Sequence, residues 1–172
     1  MEPTTGSDPG VQVETPRFVE GRPMRLAGLA GRFTPETMPQ IPALWQRFAA
    51  LLDADAIPSQ VGRVTYGIGF HCFDGSPMYE YRCAVEVTRS DGLPLELRPL
   101  DLPAMRWAVF PHREHVSRLG DTIHAIWTRW FPASGLAADH RPGLPDFLER
   151  YGEEFDPVTG HGGMEVWFPV RR

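Results

Sequence analysis

The sequence repeats itself once. Met24-Arg25-Leu26-Ala27 returns as Met105-Arg106-Trp107-Ala108 at an offset of 81, and Ile41-Pro42-Ala43-Leu44-Trp45-Gln46-Arg47-Phe48 returns as Ile123-His124-Ala125-Ile126-Trp127-Thr128-Arg129-Trp130 at an offset of 82. Two matches in one order at nearly one spacing mark a duplicated structural unit. Halves related in this way pack about a seam, and a seam is a natural place for a concave pocket. The 172 residues are enough for a single domain with its own core.

Each half reads strand, helix, strand, strand. In the first, a strand is expected over 18–28, disturbed in its middle by Pro23. Ile41, Leu44, Trp45, Phe48, Leu51 and Leu52 then recur at helical spacing. Val64, Tyr66, Ile68, Phe70 and Cys72 alternate with Thr65, Gly67, Gly69 and His71. Tyr79, Tyr81, Cys83, Val85 and Val87 alternate with Glu80, Arg82, Ala84, Glu86 and Thr88. Asp74-Gly75-Ser76-Pro77 between these strands has turn chemistry, so a hairpin is expected, with Ile68 opposite Cys83 and Cys72 opposite Tyr79. In that register Tyr66 and Tyr81 both point to the interior or a pocket, and the two cysteines are too far apart to bridge.

In the second half, 91–103 reads as a proline-rich connection, followed by a strand over 105–110. A helix from about His115 carries Val116, Leu119, Ile123, Ile126, Trp127 and Trp130 and stops at Pro132 and Ser134-Gly135. Short strands follow at 147–151 and 164–170. Residues 1–15 read as a disordered tail, and 16–172 as one domain with repeats at about 16–90 and 103–172.

Composition excludes several classes. All 17 basic residues are arginine, and 22 acidic residues set a formal charge of -5, which does not describe a nucleic-acid surface. No apolar run approaches the ~20 residues of a membrane span, and the N-terminus lacks a signal peptide's features, so a cytoplasmic location is expected. His112 and His115 have no third ligand at a diagnostic spacing and read as solvated histidines near a helix start; no metal and no cofactor is expected. A nucleophile elbow, a phosphate-binding glycine loop and a dinucleotide fingerprint are all missing from the sequence.

The chain resembles the GyrI-like small-molecule-binding domain, the effector-binding module also found attached to AraC-type and MerR-type transcription regulators. The resemblance rests on Ile41-Pro42-Ala43-Leu44-Trp45, Tyr66-Gly67-Ile68, Tyr81 with Ala84-Val85-Glu86-Val87, and Pro103 to Phe110 with Trp127. Its strongest part is Pro145-Asp146-Phe147-Leu148-Glu149-Arg150-Tyr151 followed by Met164 to Val170. It implies an α+β fold, a duplicated βαββ unit with two helices on an antiparallel sheet. It also implies an aromatic-lined groove between the repeats that takes amphipathic, often cationic, molecules and holds an acidic residue at the position of Glu149. The first 15 residues are too few for a helix-turn-helix, so a stand-alone binder without direct DNA binding is expected.

The residues support a candidate site independently. On an extended 147–151, Phe147, Glu149 and Tyr151 share one side, with Leu148 and Arg150 opposite. A carboxylate between two rings suits a lipophilic cation, through charge and through cation–π contacts of about 0.5–2 kcal/mol each. The alternative is an exposed acid on an edge strand, paired with an arginine. Tyr66, Tyr81, Trp107 and Trp127 are the other candidate ligand-binding residues, each with core packing as its alternative, whereas Trp45 is assigned to the core. The first expectation is a multidrug-type binder of amphipathic cations. Two alternatives stand beside it: a hydrolase of electrophilic natural products using Glu149 and a tyrosine, and an inhibitor of a DNA-processing enzyme by protein contact.

Overall fold

A computed structural model describes residues 11–171. Its eight strands form one antiparallel sheet: β1 (Arg17–Gly21), β2 (Met24–Phe33), β3 (Gln60–Phe70), β4 (Tyr79–Val87), β5 (Arg98–Leu102), β6 (Met105–His112), β7 (Phe147–Tyr151) and β8 (Met164–Pro169). Their order across the sheet is β1-β6-β8-β7-β3-β4-β2-β5. Helix α1 (Ile41–Asp53) belongs to the first repeat. In the second, α2 (Leu119–Ala125) runs through a π-helical stretch (Ile126–Trp130) into α3 (Phe131–Ser134). The architecture is the expected α+β fold, with the order βαββ in each repeat preceded by one further short strand.

Those short strands carry the first correction. The strand expected over 18–28 is two strands, because Pro23 fixes its own φ and has no N–H to give the ladder. β1 and β5 each precede the long strand of their own repeat by two residues, yet β1 pairs with β6 and β5 with β2. Each repeat thus lends a strand to the other. Arg22-Pro23 and Pro103-Ala104 join strands near opposite ends of the sheet order, so the ends meet and the sheet curls. β5 lies inside the segment expected to be a connection; at the sheet edge Pro99 is tolerated because no ladder is needed on its outer side.

The sheet buries both faces. Inside the curl, Leu26, Ile68, Trp107, Val109 and Leu148 pack together with Tyr66. On the outer face α1 packs Leu44 and Phe48 over Leu29, Tyr81, Cys83 and Val85. The second helical segment covers Ala108, Phe110, Val166 and Phe168 with Ile123, Ile126 and Phe131. Pro132 does not stop this segment. It cannot donate to the carbonyl of residue 128, and the preceding turn widens to the π form, a known accommodation where the α ladder is interrupted.

The hairpin register differs from the expected one by a residue: Gly67 stands opposite Cys83 and Ile68 opposite Arg82. A one-residue slip turns a whole strand over. The apolar side of β3 (Tyr66, Ile68) therefore enters the curl, while the apolar side of β4 (Tyr81, Cys83, Val85) faces α1. Alternation could not fix this register, because both sheet faces are covered and both accept apolar side chains.

Residues 1–10 of the expected tail lie outside the described residues. At 11–15 the chain packs against the body: Val11 is buried and Glu14 pairs with Arg113 at 2.7 Å. His112 is likewise not solvated. It is buried, with Nδ1 2.8 Å from the Thr122 hydroxyl and Nε2 2.9 Å from the His115 carbonyl oxygen.

Candidate functional site

The two strands that meet at the seam, β3 and β7, pair with Thr65 opposite Tyr151, Gly67 opposite Glu149 and Gly69 opposite Phe147. On the helix side, β7 thus presents a phenol, a carboxylate and a phenyl ring against three small residues. Space explains the small ones. A Cβ on Gly67 would lie 2.1 Å from the Tyr81 hydroxyl and 2.3 Å from Glu149 Oε1, and one on Gly69 would lie 2.5 Å from the Phe147 ring. Gly67 and Glu149 are also separated by 82, the repeat offset. They are equivalent positions in the two halves, facing each other where the halves join.

Glu149 is only 8% exposed, and β7 is an inner strand between β8 and β3. The exposed-acid alternative therefore does not describe it. Its Oε1 accepts hydrogen bonds from the Tyr81 hydroxyl at 2.5 Å and the Tyr151 hydroxyl at 2.9 Å. Trp45 Nε1–H donates in turn to the Tyr81 oxygen at 3.0 Å. The Trp45 ring meets that of Tyr151 edge to face at 5.3 Å, and Tyr151 meets Phe155 at 5.0 Å. Trp45 is thus part of the constellation, not of the core alone. Its contribution was hidden because its polar handle finds a partner 36 residues away.

Burial raises the Glu149 carboxyl pKa even though both phenol hydrogen bonds act to lower it. Burial, and then the nearby carboxylate, push the Tyr81 and Tyr151 phenols well above their usual range, so both remain donors. The arrangement is a desolvated carboxyl group ringed by aromatic side chains, with its hydrogen bonds drawn to one oxygen. Ionising such a buried carboxyl is costly unless positive charge or further hydrogen bonds compensate it.

Phe147 and Tyr151 share the helix face with Glu149 as expected. Tyr81 joins them from β4. Trp127 lies farther along the seam, stacked on Phe73 at 4.5 Å between ring centres and 11° between planes. Trp127 and Phe73 line a cavity of about 390 Å³ with His71, Asp74, Asp139, His140 and Asp146, whereas Glu149, Tyr81, Phe147 and Tyr151 are not among its lining residues. Tyr66 and Trp107 are not brought to this site: both face into the curl, Trp107 being 1% exposed and set edge to face with Trp167 at 5.8 Å. The slipped register removes Tyr66, and the face of β6 removes Trp107. A larger cavity of about 720 Å³ is lined by charged groups, among them Arg17, Arg113, Arg150, Glu154 and Glu165, and not by Glu149.

Among the described residues no group of three His, Cys, Asp or Glu side chains could hold a metal ion. Cys72 and Cys83 are both free thiols, and burial pushes both pKa values upward. No described helix is long and apolar enough to cross a membrane.

The model of the GyrI-like small molecule binding domain matches residues 14–171. The fold is similar to that of SAV2435 bound to tetraphenylphosphonium, with a TM-score of 0.71 and 17% identity over 92% of this chain and 94% of that one. It is similar also to a putative transcription regulation protein of Staphylococcus aureus MU50 (TM-score 0.64, 17% identity, 95% and 100% covered). A third similar structure is the EcmrR C-terminal domain (TM-score 0.61, 14% identity, 94% and 99% covered). No match is found among curated proteins.

Proposed function

The chain belongs to the family of GyrI-like small-molecule-binding domains, and we propose that its ligands are amphipathic organic cations held at the seam by Glu149. The observation that carries this proposal is the Glu149 carboxylate, buried, ringed by Trp45, Tyr81, Phe147 and Tyr151, and hydrogen-bonded to no cationic side chain among the described residues. Two phenols stabilise the ionised form only in part, since its pKa stays raised. A ligand cation supplies the rest. Apolar ligand surface supplies most of the affinity through burial against the rings, at about 25 cal/mol per Å². The carboxylate supplies selection by charge. That SAV2435 is bound to tetraphenylphosphonium supports the choice of cation class.

The test compares tetraphenylphosphonium with neutral triphenylphosphine oxide by titration calorimetry, on the wild type and on Glu149→Gln. Glutamine keeps the shape and an acceptor oxygen for both phenols, while it removes the charge and puts an NH2 donor in place of the second oxygen; the neutral compound controls for that second change. For a charge shielded by its own rings, at a separation of about 6 Å and an effective dielectric of about 20, the attraction is about 3 kcal/mol, roughly 100-fold in Kd. The expected result is a loss of that order for the cation and less than about threefold for the neutral compound. Equal losses for both would remove the charge-selection role from Glu149.

A further inference from the structure

Glu149 is buried, so an amphipath the size of an arylphosphonium reaches it only if something on the helix side moves. The floor is sheet backbone at Gly67 and Gly69. Tyr81 and Tyr151 are tied to the carboxylate, and Trp45 to Tyr81. Phe73 is different. It sits on the connection between β3 and β4, which is organised largely by its own residues: His71, at φ 61°, pairs with Asp74 at 2.7 Å, and Asp74 accepts from the Ser76 N–H at 3.0 Å. A 2.7 Å hydrogen bond from the Cys72 N–H to Asp146 Oδ2 ties this connection to the start of β7.

The Phe73 ring nevertheless reaches into the aromatic seam. It stacks on Trp127 and lies 6.3 Å from the Phe147 ring and 6.3 Å from the Phe168 ring. Phe147 is two residues from Glu149 on the same face, and the open 390 Å³ cavity borders Phe73 and Trp127. Phe73 thus links that cavity to Phe147, which shares the carboxylate's face of β7, through ring contacts of the kind an aryl group from outside would make.

We propose that Phe73 is an internal occupant of the ligand groove, displaced from Trp127 by an aryl group of the ligand. The inference rests on the seam being the cation site and adds what governs access to it. Ligand access exchanges one aryl ring for another on the same indole face. Alkyl cations of equal charge offer Trp127 a cation–π contact but no ring to replace the lost stack, so the exchange favours ligands that carry rings. The affinity measured for any ligand is reduced by the fraction of time Phe73 fills the groove.

The experiment titrates tetraphenylphosphonium and tetrabutylphosphonium into the wild type, Phe73→Ala and Phe73→Leu. In parallel, alkylation of Cys72 by iodoacetamide is followed without ligand. Cys83 is 0% exposed, so the reaction reports the residue beside Phe73. The expected result is faster Cys72 alkylation and about tenfold tighter tetraphenylphosphonium binding in Phe73→Ala, the gain for a groove otherwise closed about nine-tenths of the time. The wild-type preference for the aryl over the alkyl cation should shrink. Phe73→Leu, which keeps apolar bulk but not the stack, should fall between, and covers the case in which the alanine variant does not fold. Wild-type binding that is weakened or unchanged in both variants would make Phe73 a wall of the site and overturn the proposal. Failure of the wild type and both variants to bind either cation would overturn the cation site itself, and the plug with it.

Discussion

Glu149→Gln makes the empty protein more stable, and the gain depends on pH. In the folded state burial raises the carboxyl pKa above its usual 4.5, despite two phenol hydrogen bonds. Every unit of such a rise costs the ionised protein about 1.4 kcal/mol relative to the unfolded chain. The sign follows from proton binding: between the two pKa values the folded state holds a proton that the unfolded state has released, so wild-type stability falls as pH rises through that window. Glutamine carries no charge and skips this loss, while its carbonyl oxygen still accepts from Tyr81 and Tyr151. On the scale observed for incompletely compensated buried polar groups, the variant gains about 1–3 kcal/mol at pH 8. A chain of this size converts that at about 2–4 °C in Tm per kcal/mol. The assay is thermal and urea unfolding followed by circular dichroism from pH 4 to pH 8. The gap between variant and wild type should be full above the raised carboxyl pKa, narrow as pH falls through it, and close below about 4.5. A variant no more stable than the wild type at pH 8, or a gap indifferent to pH, would refute the claim that the carboxylate is under-compensated when the groove is empty.

Two further outcomes follow from the same site. Gly67→Ala places a methyl group 2.1 Å from the Tyr81 hydroxyl and 2.3 Å from Glu149 Oε1, so it should separate that hydrogen-bonded pair and cost about 1–3 kcal/mol; a wild-type Tm together with wild-type cation affinity would count against the packing described. Trp45→Phe removes the indole donor to Tyr81 and should cost about 1–2 kcal/mol in urea unfolding. The indole proton resonance that disappears in the variant is thereby assigned to Trp45, and its downfield position relative to the other indole signals of the wild type checks the hydrogen bond; an unshifted unfolding midpoint would show that it carries no stability.

Much of this arrangement is written locally in the sequence. The helical spacing from Ile41 to Leu52 specifies α1, and period two across 147–151 sets Phe147, Glu149 and Tyr151 on one face without reference to any long-range contact. The repeat located the seam. What escaped was set by long-range pairing. The β3–β4 register depends on which sheet face each strand buries, and with both faces covered Tyr66 and Tyr81 could have shared a side or not. Trp107 matches the apolar pattern of β6 equally well on either face. Trp45 looks like any core tryptophan until Tyr81 is brought to its indole nitrogen. Phe73 lies in a turn, where periodicity says nothing about a ring folding back over the chain.

The facing pair Gly67 and Glu149 bears on why such a unit is joined in one polypeptide. Two identical chains assembled about a true two-fold axis would have to place the same residue at both positions. Two glutamates there would confront like charges at hydrogen-bond range, and one would have to stay protonated; two glycines would leave no charge to offer a ligand. Covalent fusion releases the two copies to diverge. One surrendered its side chain so that the other could keep a single carboxylate at the centre of an otherwise symmetric frame, and the ligand then meets a site with a direction that no homodimer of the half-chain could possess.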